Sequence, residues 1–197
     1  MTFESPSSIS VRERAWRGAK DVFLPFTGEN EKVLYSLRAG EKVLLQGVMY
    51  TARDAAHRRL VHSLDEGLEV PVDLRGQVIY YAGPCPAKPG TVIGSLGPTT
   101  SGRMDRYAPR LIEAGLKGMV GKGIRSLAVI EAMVKHGAVY FVTVGGAGAL
   151  LSKCVSKAEV VAYEDLGPEA IYRLEVVDFP AIVGVDSRGN DVYREAL

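Results

Sequence analysis

Between Val43 and His136 the apolar residues change period repeatedly, from every second position to every third or fourth and back. That alternation most limits the fold, because strands joined through helices close into a largely parallel sheet with helices packed on it. Val43 to Tyr50 reads as a strand interrupted at Gly47, and Thr51 as the N-cap of a helix from about Ala52 to Glu66 with a stripe of Ala56, Leu60 and Leu64. "GQVIYYAG" reads as a strand, "PCPAKPG" as a turn-rich loop and "TVIGSL" as a second short strand. A helix is expected from about Asp105 to Ala114 and a strand in "KGMVG". A helix from about Ser126 to His136 then turns Ile130, Met133 and Val134 inward, before a strand in "AVYFVTV".

The Gly-rich "GGAGALL" follows, then a strand "AEVVAY", a short helix after Pro168, and two strands, "YRLEVVDF" and "AIVGVD", before the turn "SRGND". The strand-rich ends make the expected class α/β with a mixed sheet or two packed sheets. Neither repeat nor linker interrupts the chain, which argues one domain. Residues 1–30, with Ser, Pro and alternating charges, read as an N-terminal extension packed on or trailing from a domain of residues 31–197.

With 24 Lys and Arg against 23 Asp and Glu, the net charge of +1 gives no overall field to hold nucleic acid, so an anion must be held locally. Cys85 and Cys154 are too few and too far apart for a disulfide framework, a zinc site or a cluster bound by this chain alone. They read as reduced thiols in a cytoplasmic protein. No run approaches the roughly 18 apolar residues of a membrane span, and the N-terminal residues lack the apolar core of a Sec-type signal.

The stretch "GPTTSGRMD" sets three hydroxyls, Thr99, Thr100 and Ser101, ahead of Arg103, where a helix is expected to begin. Ser and Thr dominate helix N-caps, so Ser101 or Gly102 can be read as a cap. A cap uses one hydroxyl, however. Free amides at a helix start, joined by hydroxyls and the planar fork of an arginine, equally suit a carboxylate or phosphate. "VGKGIRS" repeats the arrangement, with Lys122 and Arg125 about Gly123 at the C-terminal end of a strand, where α/β sheets bind ligands. Its spacing is not that of a Walker loop. In "TARDAAHRR" Arg53 and His57 fall one helical turn apart, as do Asp54 and Arg58, which a salt-bridged surface explains as well as a site does. "VGGAGALL" lacks a dinucleotide fingerprint and suits close backbone packing. Together these features gather cations and hydroxyls at one sheet edge, suited to a small dianion, without naming a reaction.

Five blocks, "YTARDAAH", "GPTTSGRMD", "GKGIRS", "HGAVYFVTVGGAGALL" and "EDLGPEAIYRLEVVDFPAIVGVDSRGND", carry a resemblance. In order and near-constant spacing, from about residue 30 to 195, the chain resembles the C-terminal domain of class I, iron–sulfur-dependent fumarases. The same unit occurs as a separate β subunit there and in L(+)-tartrate dehydratase. The resemblance implies a swivelling β/β/α-type domain with a mixed sheet. It also implies a half-enzyme, in which a [4Fe–4S] cluster is bound by three thiolates of a partner α subunit and its free iron takes the substrate as a Lewis acid. The implied assembly is α2β2. The implied activity is the hydro-lyase reaction of the tricarboxylic acid cycle, fumarate to (S)-malate, with a small dicarboxylate as ligand and neither nucleic acid nor membrane as partner.

On the matching motifs, Arg53 of "ARD", Thr99 of "PTT", Arg103 of "RMD" and Lys122 of "GKG" take the substrate-contacting positions. Thr99 and Lys122 would be the catalytic pair, and the chain would supply no metal ligand. Thr99 matches a hydroxyl that handles the proton beside a carboxylate, a role for which threonine needs neighbouring cations or a relay. The chain departs from the family at Ile124, where many fumarases place Asn between the Gly and the Arg. Arg125 and "DFPA" resemble the fumarase branch more than the tartrate branch. Tartrate dehydration and a non-catalytic anion-binding module stand as alternatives.

Overall fold

The computed structural model describes residues 16–143 and 145–195. Strand β1 (Lys20–Leu24) leads through a 3₁₀ turn into helix α1 (Glu31–Ser36), strand β2 (Lys42–Thr51) and helix α2 (Asp54–Asp65). Strand β3 (Val78–Tyr80), a 3₁₀ turn at Ser101–Met104, helix α3 (Ala108–Glu113) and strand β4 (Gly118–Gly121) follow. Then come helix α4 (Leu127–His136), strand β5 (Val139–Val142), the short helix α5 (Gly148–Leu151) and strand β6 (Val155–Ala162). Strand β7 (Ile171–Val185) and the C-terminal turn α6 (Val192–Glu195) complete the chain.

One edge of β2 pairs in parallel with β1 and then β3, while its other edge pairs antiparallel with β7. The sheet continues in parallel through β3, β4 and β5, and β5 meets β7 again. Strands β2, β3, β4, β5 and β7 therefore form a closed, barrel-like mixed sheet, with β6 laid on the outer part of β7.

Alternation along the parallel strands divides the apolar residues between two cores, as expected for strands buried on both faces. Val78, Tyr80, Val120, Val139 and Phe141 pack inside the closed sheet with Leu45, Met49, Phe179 and Val183. Ile79, Tyr81, Met119 and Tyr140 face outward, under Ala56 and Leu60 of α2, Leu111 and Ile112 of α3, and Val129 and Met133 of α4. Leu64 packs against this layer as a partly buried residue, but Val134, expected inward, is exposed because α4 turns its Val129–Ile130–Met133 stripe to the sheet instead.

Further local expectations change, among them the short helix after Pro168, which lies instead inside a 3₁₀ turn, Glu164–Glu169, just before β7. The N-terminal extension read as reaching residue 30 contains β1, and Val22, Leu24 and Phe26 lie in the inner core. Pro25 and flanking charges break their alternation after a few residues, which hides it from a periodicity reading. "TVIGSL" forms no strand, since both edges of β3 are taken by β2 and β4; Ile93 and Leu96 anchor it as a loop. The two final strands are one. Asp178, at φ 51°, makes a bulge opposite Gln46, whose amide accepts from Asp178 N–H at 2.9 Å and donates to its carboxylate at 2.8 Å. Gly47 stands at the same irregularity, where a Cβ would come within 2.3 Å of the Leu24 carbonyl oxygen.

Thr51 does not cap α2 either. Its hydroxyl is buried, accepts from Tyr172 N–H at 3.1 Å, and so ties the end of β2 to the start of β7; Arg53 occupies the cap position in extended conformation.

If residues 20–26 belong to the fold, Phe26→Ala should be a core deletion. The ring is buried and stacks on Phe141 at 6.3 Å between centroids. The expected loss is about 3–5 kcal/mol, read as a lower urea midpoint at unchanged slope.

Candidate functional site

Parallel pairing of β2, β3 and β4 brings their C-terminal ends to one rim of the barrel, and chemistry-bearing residues follow each. Arg53 comes just after β2. The chain leaving β3 loops out through residues 83–97 and returns, so that Thr99 N–H donates to Tyr81 O at 2.7 Å. Thr100 bridges in parallel to Lys122, just after β4, and Ser101 N–H donates to Lys122 O at 2.9 Å. Arg103 then reaches back over the start of α2. The four residues singled out by sequence, Arg53, Thr99, Arg103 and Lys122, thus stand on one rim.

Their side chains are held to different degrees. Arg103 donates through Nε and Nη2 to both oxygens of Asp54, at 3.2 and 2.5 Å, and stays half exposed. Asp54 was expected to pair with Arg58 along the helix; it turns to Arg103 instead because a bidentate fork across the rim outcompetes a pair of flexible surface chains. Arg53 lies against Gly83 and meets Glu169 at only 3.5 Å, with its Nε buried and unpartnered. Glu169 also accepts from Ala55 N–H at 3.0 Å, which fixes the carboxylate to the first turn of α2. Lys122 is partly buried beside Gly145, and its ammonium makes no ion pair with any described residue. Thr99, also partly buried, has a hydroxyl with no partner among the described residues.

None of the three hydroxyls of "GPTTSGRMD" caps a helix. Ser101 is fully buried and its Oγ lies 2.8 Å from the Tyr140 hydroxyl. The helix start that a side chain does serve is that of α4, and the side chain is Asp105, which sequence reading did not single out. One of its oxygens accepts from Ser126 N–H at the start of α4, at 2.6 Å, and the other from Arg125 Nε at 2.8 Å. Arg125 itself is buried, with its guanidinium carbon 5.2 Å from the ring centre of Tyr81 and 4.9 Å from that of Tyr140. It is an internal strut under the rim, as a planar, weakly hydrated cation permits.

His57 is not at the rim. Its imidazole is buried against Tyr81 and Tyr107. Nδ1 lies 2.9 Å from the Arg53 carbonyl oxygen, which requires the proton on Nδ1 and leaves Nε2 a bare, unpartnered acceptor. Burial, aided by the charge of Arg125, pushes its pKa down to about 4.

The sequence pattern of the fumarase C-terminus family matches residues 4–196. The chain belongs to that family. Its relatives include the anaerobic class I fumarate hydratase of Escherichia coli K12, 43% identical over 158 residues, which are 79% of this chain and 29% of the relative. Fumarate hydratase 2 of Leishmania major is 40% identical over 80% of this chain and 28% of its own length. The chain therefore spans under a third of these fumarate hydratases. A putative L(+)-tartrate dehydratase β subunit of Methanocaldococcus jannaschii is 38% identical over 86% of this chain and 90% of its own.

Ile124, singled out in the sequence as a departure from the family motif, is exposed, so its side chain makes no buried contact here. Of the two thiols, Cys154 is buried in the inner core between the carbonyls of Leu150 and Asp178, and burial pushes its pKa up to about 11. Cys85 is exposed on the loop after β3. No described helix is long and apolar enough to cross a membrane.

The buried neutral His57 makes stability depend on acidity with a definite sign. Between its ordinary value near 6.5 and about 4, the unfolded chain binds a proton that the folded chain refuses, so stability falls as pH falls through that window. The contribution reaches roughly 3 kcal/mol at the acid end and vanishes above neutrality. Urea unfolding from pH 7 to 4 should show a shallower acid loss in His57→Gln than in the parent; equal slopes would remove His57 as the cause.

Proposed function

We propose that this chain is the β subunit of an iron–sulfur hydro-lyase that adds water reversibly to fumarate to give (S)-malate. It would act with a separate α subunit, in an α2β2 assembly, through a domain of the swivelling β/β/α type. The observation that carries the reading is the chemistry on one rim: the Lys122 ammonium and the Thr99 hydroxyl, neither with a partner among the described residues, flanked by Arg53 and Arg103. A four-carbon dicarboxylate presents two carboxylates, and charge-assisted hydrogen bonds to cations fixed in advance answer both ends.

Each residue has a task in that reaction. Asp54 holds the Nε and Nη2 edge of Arg103, which leaves Nη1 and the outer face for a substrate carboxylate in a fixed plane. Arg53, whose Nε lacks a partner, has hydrogen-bonding capacity to spare. Lys122 stabilises the charge that builds on the carboxylate when the neighbouring C–H proton leaves. Thr99, its backbone pinned to Tyr81, presents the hydroxyl that passes this proton. Its own acidity is far too weak for a free base, so the surrounding cations must lower the cost of its deprotonated form, or it must hand the proton on.

The residues of this chain do not fit the [4Fe–4S] cluster as ligands. Cys154 is sealed in the barrel with a raised pKa, Cys85 stands apart, and the described residues contain no group of three or more metal-ligating side chains. The proposal assigns the cluster to the partner, where it would supply a Lewis acid for the leaving hydroxyl.

The match to the Methanocaldococcus protein over nearly its full length supports a second reading, a tartrate dehydratase β subunit. The same rim would then bind a dihydroxy-dicarboxylate. Arg125 and "DFPA" are what favour fumarate.

The isolated chain should be colourless and inactive, and anaerobic reconstitution with a cysteine-bearing α subunit should produce malate dehydration, followed as fumarate absorbance. Dehydration of tartrate but not malate would transfer the assignment to the second reading, and hydratase activity of this chain alone would overturn the division of labour. In the complex, Thr99→Ala should lower turnover about 10²-fold or more with an almost unchanged melting temperature. Arg103→Lys keeps the charge but loses the fork that Asp54 holds, and should cost about 2–4 kcal/mol in kcat/KM. Near-parental kinetics for either variant would remove that residue from the site.

A further inference from the structure

Lys122 sits where a strand has ended and a glycine turn begins, a place with little to hold a cation still. Gly123, the next residue, has φ 84°. Yet the turn is tied down on its inner side by an arrangement that substrate contact does not account for. Ser101 N–H donates to Lys122 O at 2.9 Å. One residue on, Gly123 O accepts from the Tyr140 hydroxyl at 2.9 Å. Tyr140 has a single phenolic proton, and Gly123 takes it, so the 2.8 Å contact between Ser101 Oγ and Tyr140 must be a donation from the serine. Ser101 thus grips the Lys122 turn twice, directly through its amide and indirectly through its hydroxyl.

The two hydroxyls of this relay are held inside the fold. Ser101 and Tyr140 are fully buried. Gly121, the last residue of β4, is the reason the serine fits: a Cβ there would stand 2.0 Å from Ser101 Oγ. Tyr140 pairs into the sheet opposite Met119, and the guanidinium of Arg125 lies over its ring. Asp105 holds Arg125 in turn. Burial pushes the Tyr140 phenol well above its ordinary acidity range, which keeps the proton that the relay needs.

We infer that the buried Ser101–Tyr140 hydroxyl pair is a positioning device that locks the Lys122 turn to the Thr99–Arg103 turn, setting the cation in register with the hydroxyl. The inference deepens the proposed function and rests on it for the role of Lys122. Ser101 and Tyr140 touch no substrate; they act through Lys122, so their removal is felt only where Lys122 is present. A displacement of about 1 Å in such a group is enough to cost on the order of 10²-fold in rate.

The test is a double-mutant cycle in the reconstituted α–β complex. Tyr140→Phe keeps the ring under Arg125 and deletes only the hydroxyl. It should lower kcat/KM about tenfold or more in the parent and less than about twofold in the Lys122→Ala background. Ser101→Ala should give the same pattern and serves if the tyrosine variant fails to assemble. Amide exchange of Ser101, measured on the full chain, should be about tenfold faster in Tyr140→Phe while the global melting temperature shifts little. An undiminished kcat/KM, or an equal loss in both Lys122 backgrounds, overturns the inference and leaves the proposed function standing. Should the parental complex hydrate no dicarboxylate at all, that function falls. The lock is then judged by exchange alone: unchanged protection at Ser101 overturns it, and faster exchange upholds it.

Discussion

The long antiparallel run of β7 along β2 is the contact on which the rest of the molecule depends. It uses nearly the whole length of β2, from Lys42 paired with Ile182 to Tyr50 paired with Arg173. Because the opposite edge of β2 carries β1 and β3, the same strand is saturated on both sides, and β7 then reaches β5 to close the sheet. Closure removes free edges from the five barrel strands and fixes where β3 and β4 can lie. Their C-terminal ends must emerge beside that of β2, and the rim holding Arg53, Thr99 and Lys122 is the consequence.

Beneath that rim the structure places a charge where a hydrophobic side chain would cost less to bury. Arg125 has no exposed side-chain surface and is answered by Asp105 through a single Nε bond, two tyrosine faces and longer contacts to Met119 Sδ and the Tyr81 hydroxyl. A buried pair of this kind contributes little net stability, because desolvation offsets most of the attraction, but breaking one side is expensive. Its effect is on geometry: Asp105 also accepts from Ser126 N–H, so one carboxylate fixes the turn that carries Arg103 to the start of α4. Committed and uncommitted polar groups are thereby separated. Below the rim Arg125, Asp105, Ser101 and Tyr140 are bonded within the fold, while on it Lys122 and Thr99 have no side-chain partner among the described residues.

The sequence by itself determined the class of fold and picked out the residues that the structure places on one rim. Short apolar runs alternating with helical periods were sufficient for an α/β sheet, since parallel strands covered on both faces need that pattern. The unusual polarity of "GPTTSGRMD" and "GKGIRS" at the ends of such runs was sufficient to mark Thr99, Arg103 and Lys122. What only the tertiary structure decided is whatever depends on residues distant in sequence finding each other. Asp54 has an arginine one turn along its own helix, yet it pairs with Arg103, 49 positions away. Ser101 has the chemistry of a cap, yet its hydroxyl goes to Tyr140, a residue that in sequence is one more apolar position of a core strand. Asp178 and Pro180 read as the end of a strand, yet Gln46 across the sheet satisfies the bulge and the strand runs on. The physical reason is common to all three. Local pattern records which face of an element is apolar, whereas the partner of a polar group is set by which other elements the closed sheet brings within hydrogen-bonding distance, and that is a property of the closure.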